Sequence, residues 1–258
     1  QKNLLHSVSG WQIRAMRLLV NAGFIVISLC ALAWKPAGAA DAVAFSAGES
    51  VRAVSYGTSL TQVQLLALAA QTEREYAKLS AYFGTSVGKI TVNVRRSGIG
   101  RHFPPSTVRM PVDRVLKSIA ITAHELTHLL TQGWASKALK EGLAVFAQNK
   151  FGEQRGWPNY KRRIHRAARH WITQPGAVVT TPEDAESVFP SAPISARQRR
   201  ITAYNVAGSF VTWIINVKMA GDIQRFMKTL YRSGDYQAAL GANYPDLQTA
   251  WRAYIDAR

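Results

Sequence analysis

Cysteine, acidic side chains and long apolar runs are all scarce in this chain of 258 residues. Cys30 is the only cysteine, so no disulfide can form within one chain. The 15 Asp and Glu residues are outnumbered by 32 Lys and Arg, which gives a net charge of +17 at pH 7. Internal repeats and low-complexity tracts are also absent. The fold must therefore be held by a hydrophobic core and by whatever the chain binds.

The longest apolar run, Leu18 to Trp34, lies near the N-terminus and follows Arg14 and Arg17. The small residues Ala37-Gly38-Ala39 come shortly after it. A basic start, a short apolar centre and an A-x-A end are typical of a secretory signal peptide. We therefore expect residues 1–39 to be a signal peptide that is cleaved after Ala39.

Two further expectations concern this leader. The first fifteen residues contain no methionine, and Met16 is a plausible true start. The alternative to cleavage is a retained membrane anchor, although the run is short for a span. Cleavage would leave residues 40–258 with a charge of +13, because the leader carries four basic residues and no acid. That length suits a single domain, which we expect in the periplasm or the secreted fraction.

An H-E-x-x-H motif, His124 to His128, lies in a segment with helical character. Residues four apart on a helix share one face, with Cβ atoms about 5–6 Å apart. His124 and His128 could thus bind one Zn²⁺ through ring nitrogens at about 2.0–2.1 Å. Glu125 would lie about 100° further round the helix, where it can act as a general base without being a ligand.

Chance rarely produces this motif. With six His and eight Glu in the chain, about 0.004 occurrences are expected. The surrounding segment, residues 115–133, carries apolar residues at helical spacing, which indicates a buried face. They are Leu116, Ile119, Ala120, Ala123 and Leu130. Buried His and Glu are costly unless something satisfies them. A metal ion would do so, and two hydrogen-bonded core histidines are the alternative.

A third metal ligand is expected after this helix, and Glu141 is the candidate. Ser136 predicts the N-cap of a second helix that runs to about Lys150 and ends at Gly152. One helical turn would bring Glu141, thirteen residues after His128, back against the first helix. Two His, one carboxylate and an open position for water form a ligand set of catalytic zinc.

H-E-L-T-H followed by W-x-x-x-x-L-x-E-G-L-A resembles the gluzincin zinc metallopeptidases, and within them the peptidase MA-like family. Two further segments resemble that group. They are Ala203–Val211, with the pattern Y-x-x-A-G-S-F-V, and the closing pair Asp235–Leu240 and Leu247–Tyr254. The likeness spans about residues 62–254, and the zinc motif is its specific part. The short spacing to Glu141 indicates a compact member of the group.

The resemblance implies an α+β, zincin-like fold. This fold has a small N-terminal mixed β-sheet with helices, an active-site helix that carries the H-E-x-x-H motif, and a mainly helical C-terminal half. One zinc ion per chain would be held by His124, His128 and Glu141, with Glu125 as catalytic base. Related gluzincins place a tyrosine that stabilises the oxyanion on a later helix, and Tyr204, expected at the start of such a helix, matches it.

Patterns upstream of the motif predict the sheet and one long helix. An amphipathic helix is expected from Thr61 to Phe83, with Gly84 as its stop. Lys89 to Val94 alternates like a strand. Residues 95–105 are expected to be a loop. Thr107 to Met110 is expected to be an edge strand, and the zincin resemblance places it beside the active-site helix, paired with extended substrate.

Downstream, the chain from Trp157 onward is expected to be mainly helical, with a loop from Gln174 to Ala196. The densest basic segment, Lys161 to His170, could bind an anionic envelope surface, and a solvated helix face is the alternative. His165 and His170 are interpreted as surface residues, since a spacing of five is poor for one metal. Nucleic acid is not expected as a partner, because no recognised motif accompanies the charge.

Together these patterns predict an exported zinc metallopeptidase that acts on peptide or protein substrates. Glu125 would take a proton from the attacking water and pass it to the leaving amine. Two alternatives differ in class. One is a catalytically silent zincin-fold protein that binds the envelope, which would have no need of Glu125. The other is a zinc hydrolase that acts on a non-protein amide.

Overall fold

A computed structural model of the protein describes residues 42–154, 157–159, 162–191 and 196–258. The expected signal peptide with its cleavage site, Met16, Cys30 and Lys161 lie outside these residues. The described residues all fall in one unit, residues 40–258.

A five-stranded mixed sheet forms the N-terminal part of this unit. Its strands are β1 (Ala42–Phe45), β2 (Val51–Ser55), β3 (Ile90–Arg95), β4 (Arg101–Phe103) and β5 (Thr107–Pro111). The strand order is β1-β2-β3-β5-β4. The three inner strands are parallel, whereas β1 and β4 pair antiparallel at the two edges. Ile90, Val92 and Val94 of β3 are fully buried on one face, as alternation predicts.

Helices make up most of the remainder, so the predicted small mixed sheet and mainly helical second half are confirmed. The α-helices are α1 (Gln62–Phe83), α2 (Val112–Leu116), α3 (Thr122–Leu130), α4 (Lys137–Phe151), α5 (Ile164–Ile172), α6 (Pro182–Ser191), α7 (Arg197–Trp213), α8 (Ile223–Phe226), α9 (Tyr236–Leu240) and α10 (Tyr244–Asp256). Two π-helical turns, Ile214–Lys218 and Met227–Tyr231, extend α7 and α8. Among the described helices, none is both long and apolar enough to cross a membrane.

The ends of the two helices that were predicted from capping residues agree with the structure. The Thr61 side chain accepts from the Gln64 amide at the start of α1, and Gly84 ends that helix in the left-handed conformation, with φ 67°. Ser136 caps α4 by accepting from the Leu139 amide at 3.1 Å, and Gly152 follows its last turn. Both helices were predictable because each carries its own start and stop residues.

The predicted edge strand is wrong. β5 is an interior strand between β3 and β4, and the edge strand is β4, in a segment expected to be a loop. β4 has only three residues between Gly100 and Pro104, too few to show a period of two. Contacts place both β4 and β5 against α3. Among the described strands, β4 is therefore the edge strand that borders the motif helix.

Two other expectations also need correction. Leu116 shares the helical spacing of the motif segment, but it is 48% exposed and lies in α2, separate from α3. The expected loop from Gln174 to Ala196 contains α6. Pro182 begins α6 rather than breaking it, because proline is tolerated in the first helical turn. The Asp184 carboxylate accepts from the Thr181 amide at 2.9 Å, which stabilises this start.

Two glycines allow α4 and α7 to pack closely. A Cβ added to Gly142 would lie 2.5 Å from the Ala207 carbonyl oxygen, and one added to Gly208 would collide with Val145. Helix backbones approach this closely only where a side chain is missing. The contact sets the position of the residues beside Gly142 and the turn of α7 that faces it.

Candidate metal centre

Helix α3 carries the H-E-x-x-H motif, and all nine of its residues are buried. Its N-cap residue, Ile121, makes no side-chain cap. Side chains from elsewhere replace it: Gln148 accepts from the His124 amide at 3.1 Å, and Gln154 accepts from the Ala120 amide at 2.5 Å. Gln148 of α4 thus satisfies one of the orphan N–H groups of this helix end, and Gln154 holds the residue that precedes the N-cap.

A buried carboxyl group completes this polar network. Glu75 of α1 is fully buried and accepts from Gln71 at 3.0 Å, from the Glu153 amide at 2.8 Å and from the Thr122 hydroxyl. Burial raises the pKa of Glu75 even though these hydrogen bonds oppose it. Gln154 also donates to Gln71 at 2.8 Å, so the network ties α1, α3 and the chain after α4 together.

The structure brings His124, His128 and Glu141 together. His124 Nε2 and His128 Nε2 are 3.2 Å apart, and Glu141 Oε2 lies 3.3 Å from each of them. The two imidazole side chains are 4% and 3% exposed, and the Glu141 side chain is 14% exposed. Three electron-pair donors thus converge on one point in a largely buried site.

This donor set fits a tetrahedral metal ion. Bonds of about 2.0–2.1 Å at tetrahedral angles place neighbouring ligand atoms about 3.3–3.4 Å apart. The three observed separations agree with this value within about 0.2 Å, the tolerance expected of a real site. Nitrogen and carboxylate donors are the types that zinc accepts. The cluster is therefore geometrically able to hold a metal ion.

The pKa values of Glu141 and His128 are shifted toward the forms that bind metals. Burial alone would raise the pKa of Glu141, but the two neighbouring imidazoles outweigh it and hold this pKa well below its usual value. Burial lowers the pKa of His128 despite the attraction of Glu141. A carboxylate and a neutral imidazole are the ligating forms of these side chains.

The Nδ1 atoms of both histidines are buried and have no hydrogen-bond partner among the described residues. A metal-bound histidine usually donates its second N–H to a carbonyl, carboxylate or water. The alternative of two core histidines satisfied by hydrogen bonds would account for the Nε2 atoms, which contact each other and Glu141. It would leave both Nδ1 atoms without a partner among the described residues.

Glu125 lies beside the cluster without joining the triangle. Its side chain is 5% exposed, and its Oε2 is 3.6 Å from Nδ1 of His102 in β4. Burial would raise the pKa of Glu125, but His102 and the two motif histidines outweigh it and lower this pKa. His102, Glu125 and His128 form a second group able to hold a metal ion. Sequence reasoning missed His102, because only the pairing of β4 with β5 brings it here.

Tyr204 lies next to the cluster, two turns into α7 rather than at the helix start. Its ring centroid is 6.0 Å from that of His124, and it packs against Trp157 at 4.3 Å and Phe189 at 4.9 Å. Burial and the negative charge of Glu141 raise the pKa of Tyr204. The phenol therefore keeps its proton at neutral pH and is available as a hydrogen-bond donor.

The described part of the basic segment lies mainly on α5, which packs against α7 and α10. Arg166, Arg169, His170, Thr173 and Arg258 line a cleft of about 420 Å³. His165 is half-buried rather than a surface residue: its Nδ1 is 2.8 Å from Ser209 Oγ, and burial lowers its pKa to about 4. His165 and His170 share no metal cluster within the described ranges.

Comparison with known proteins adds little to this geometry. No family model matches the chain, and no curated protein matches it in sequence. Among solved structures, the fold is similar to that of a mutant M1 zinc metallopeptidase from Deinococcus radiodurans. The match has a TM-score of 0.43 and 19% identity, and it covers 81% of this chain and 48% of that one. The chain thus spans about half the length of the M1 metallopeptidase that it resembles.

Proposed function

We propose that the protein is a zinc-dependent metallopeptidase whose metal is held by His124, His128 and Glu141. The observation that carries this proposal is the triangle of two imidazole nitrogens and one carboxylate oxygen with sides of 3.2–3.3 Å. A second carboxylate, Glu125, lies beside the triangle and outside it. A purely structural metal site would have no use for that second buried carboxylate.

The residues around the triangle suit amide hydrolysis. Zinc bound here would supply Lewis-acid polarisation of water and of the substrate carbonyl. Glu125, whose lowered pKa keeps it a carboxylate, accepts a proton from the attacking water and passes it to the leaving amine. Tyr204, whose raised pKa keeps it protonated, donates to the carbonyl oxygen as negative charge develops there.

The edge strand supports a peptide as substrate. Within the part of the chain that the structure describes, β4 pairs with β5 alone, and it contacts α3. An extended peptide can add to such an edge through main-chain hydrogen bonds, which would lay it along the motif helix. This arrangement favours a peptide over a small non-protein amide, which needs no strand to bind it.

Metal analysis combined with a protease assay tests the proposal. Purified wild-type protein should contain about one zinc per chain, and His124→Ala and His128→Ala should lose it because two ligands are too few for a stable site. Full zinc content in both variants would exclude this site. Fluorescein-labelled casein and a peptide library should be cleaved by the wild type and not by Glu125→Gln, which keeps its metal.

The outcomes also separate the alternatives. Zinc without cleavage of casein or any library peptide would favour a silent scaffold or a hydrolase of non-protein amides. Equal turnover by wild type and Glu125→Gln would remove Glu125 from the mechanism. Loss of zinc from Glu125→Gln would make Glu125 a ligand rather than a base.

Export belongs to the proposal and rests on the sequence of the leader. A cleaved signal peptide predicts a mature N-terminus at Ala40 or Asp41 in a periplasmic or secreted fraction. N-terminal sequencing of protein from fractionated cells measures this directly. An intact N-terminus in the membrane fraction would indicate a retained anchor, and cytosolic protein would contradict both.

A further inference from the structure

Both carboxylate oxygens of Glu125 face the edge strand. Oε2 lies 3.6 Å from His102 Nδ1. Oε1 lies 3.0 Å from the point that a Cβ at Gly100 would occupy. The same point is 3.3 Å from the Ile121 side chain, so the space for the carboxylate is narrow. His102 and Gly100 thus each lie next to one of the two carboxylate oxygens of Glu125.

β4 is held firmly enough to act as a support. His102 pairs with Val108 of β5, which is fully buried, and the neighbouring pairs are Arg101 with Arg109 and Phe103 with Thr107. The Arg109 guanidinium lies 4.6 Å from the Phe103 ring centroid. The His102 ring lies 4.5 Å from the His128 ring, so His102 is fixed between the motif helix and its own strand. A side chain held on two sides can orient a third group.

The proposed base needs such orientation. A glutamate side chain has three rotatable bonds, and a general base works only when its oxygen lies within hydrogen-bond reach of the proton that it takes. The distance of 3.6 Å is longer than a hydrogen bond. Catalytic contacts often tighten when substrate binds, so an N–H group at this distance is close enough to guide the carboxylate.

We propose that His102 is a positioning residue for Glu125: it holds one carboxylate oxygen through Nδ1, while Gly100 leaves room for the other. This inference rests on the proposed function, because it concerns the base of that reaction. The competing role for His102 is direct contact with substrate. If His102 positions Glu125, the loss of kcat on replacing His102 should shrink when residue 125 is shortened to Asp. If His102 contacts substrate, that loss should stay the same.

Kinetics on casein provides the first test. Replacing a residue that orients a catalytic group typically costs 10–100-fold, so His102→Leu should lower kcat about 10–100-fold with KM within about twofold of wild type. His102→Gln retains an N–H donor and should recover part of the loss. Gly100→Ala should lower kcat as well. Zinc content and Tm should stay at wild-type values, and Gln237→Leu at an exposed position of α9 serves as the control.

A double-mutant cycle separates positioning from substrate contact. Glu125→Asp withdraws the carboxylate by one methylene and breaks its contact with His102. In that background, His102→Leu should change kcat by less than about threefold, because interacting residues are not additive. An undiminished loss in the Glu125→Asp background would assign His102 to the substrate instead.

Crystal structures of the wild type and His102→Leu test the proposal without any substrate. Glu125 should adopt one conformer in the wild type, and it should rotate or occupy several conformers in the variant. An unchanged Glu125 conformer in His102→Leu would overturn the inference whatever the activity. Absence of zinc and of hydrolysis in the wild type would instead count against the proposed function, so the two failures are distinguishable.

Discussion

Alanine at position 142 would test how closely α4 must approach α7. A Cβ there would lie 2.5 Å from the Ala207 carbonyl oxygen and 2.6 Å from Val211 Cγ2. Ordinary contact begins at 3.4 Å, so the two helices would have to separate by up to about 0.9 Å. The Ala207 carbonyl belongs to a helix backbone and cannot rotate away, which makes relaxation expensive.

The magnitude follows from two opposing effects. Overpacking costs about 1–3 kcal/mol, and a backbone clash belongs in the upper half of that range. The better helix propensity of alanine offsets about 1 kcal/mol. We therefore expect Gly142→Ala to lower the free energy of unfolding by about 1–2 kcal/mol, which corresponds to a fall in Tm of about 2–8 °C for a domain of this size.

The same separation should disturb the metal cluster. Glu141 precedes Gly142 in α4, and its Oε2 lies 3.3 Å from each motif imidazole. Ligand distances tolerate about 0.2 Å, so zinc affinity should fall together with Tm. Thermal unfolding of the metal-free protein and a zinc titration measure the two effects separately. Wild-type values for both in Gly142→Ala would refute the reasoning.

A second substitution identifies the atom responsible. Val211→Ala removes Cγ2 but leaves the Ala207 carbonyl in place. Adding it to Gly142→Ala should therefore recover little stability if the carbonyl is the main obstacle. Full recovery of stability would assign the clash to the Val211 side chain. The Ala207 carbonyl would then not be the obstacle to a side chain at position 142.

Three further predictions concern activity, pH and capping. Tyr204→Phe should lower turnover about a hundredfold or more while keeping zinc content and Tm, because an oxyanion donor is worth about 2.7–4 kcal/mol; wild-type turnover would leave Tyr204 a packing residue. The pKa of Glu75 is raised in the folded state, so folding favours its protonated form and stability should fall as pH rises from about 4.5 through the folded pKa. Urea unfolding at several pH values should show that slope in the wild type and not in Glu75→Gln; equal slopes would contradict it. Ser136→Ala removes the cap on the Leu139 amide and should lower stability by about 1 kcal/mol, measured by the urea midpoint, whereas an unchanged midpoint would mean that the cap contributes nothing.

Local signals made part of this fold and site predictable. The four-residue spacing of His124 and His128 needs only a helix to bring the rings together. Ser136 and Gly152 mark the ends of the helix that carries Glu141. Each of these features depends on neighbours within about one or two helical turns, and the sequence states them directly.

The remaining features depend on contacts between distant segments. His102 reaches Glu125 only because β4 pairs with β5, and a three-residue strand carries no periodic signal of its own. In the sequence, Gly142 is only an unfavourable residue for a helix, and its role becomes clear from the close contact with Ala207 in the structure. Proline and serine between Gln174 and Ala196 indicate a loop, although Pro182 fits the first turn of α6. Tertiary packing decides each of these positions.

Side chains from another part of the chain accept hydrogen bonds at the N-terminus of the motif helix. Ile121 offers no cap; Gln148 accepts from the His124 amide, and Gln154 accepts from the Ala120 amide just before the helix. A nine-residue helix without its own cap is marginal in water. The H-E-x-x-H segment is therefore not expected to fold alone: a synthetic peptide that spans it should show no helical circular dichroism signal in water.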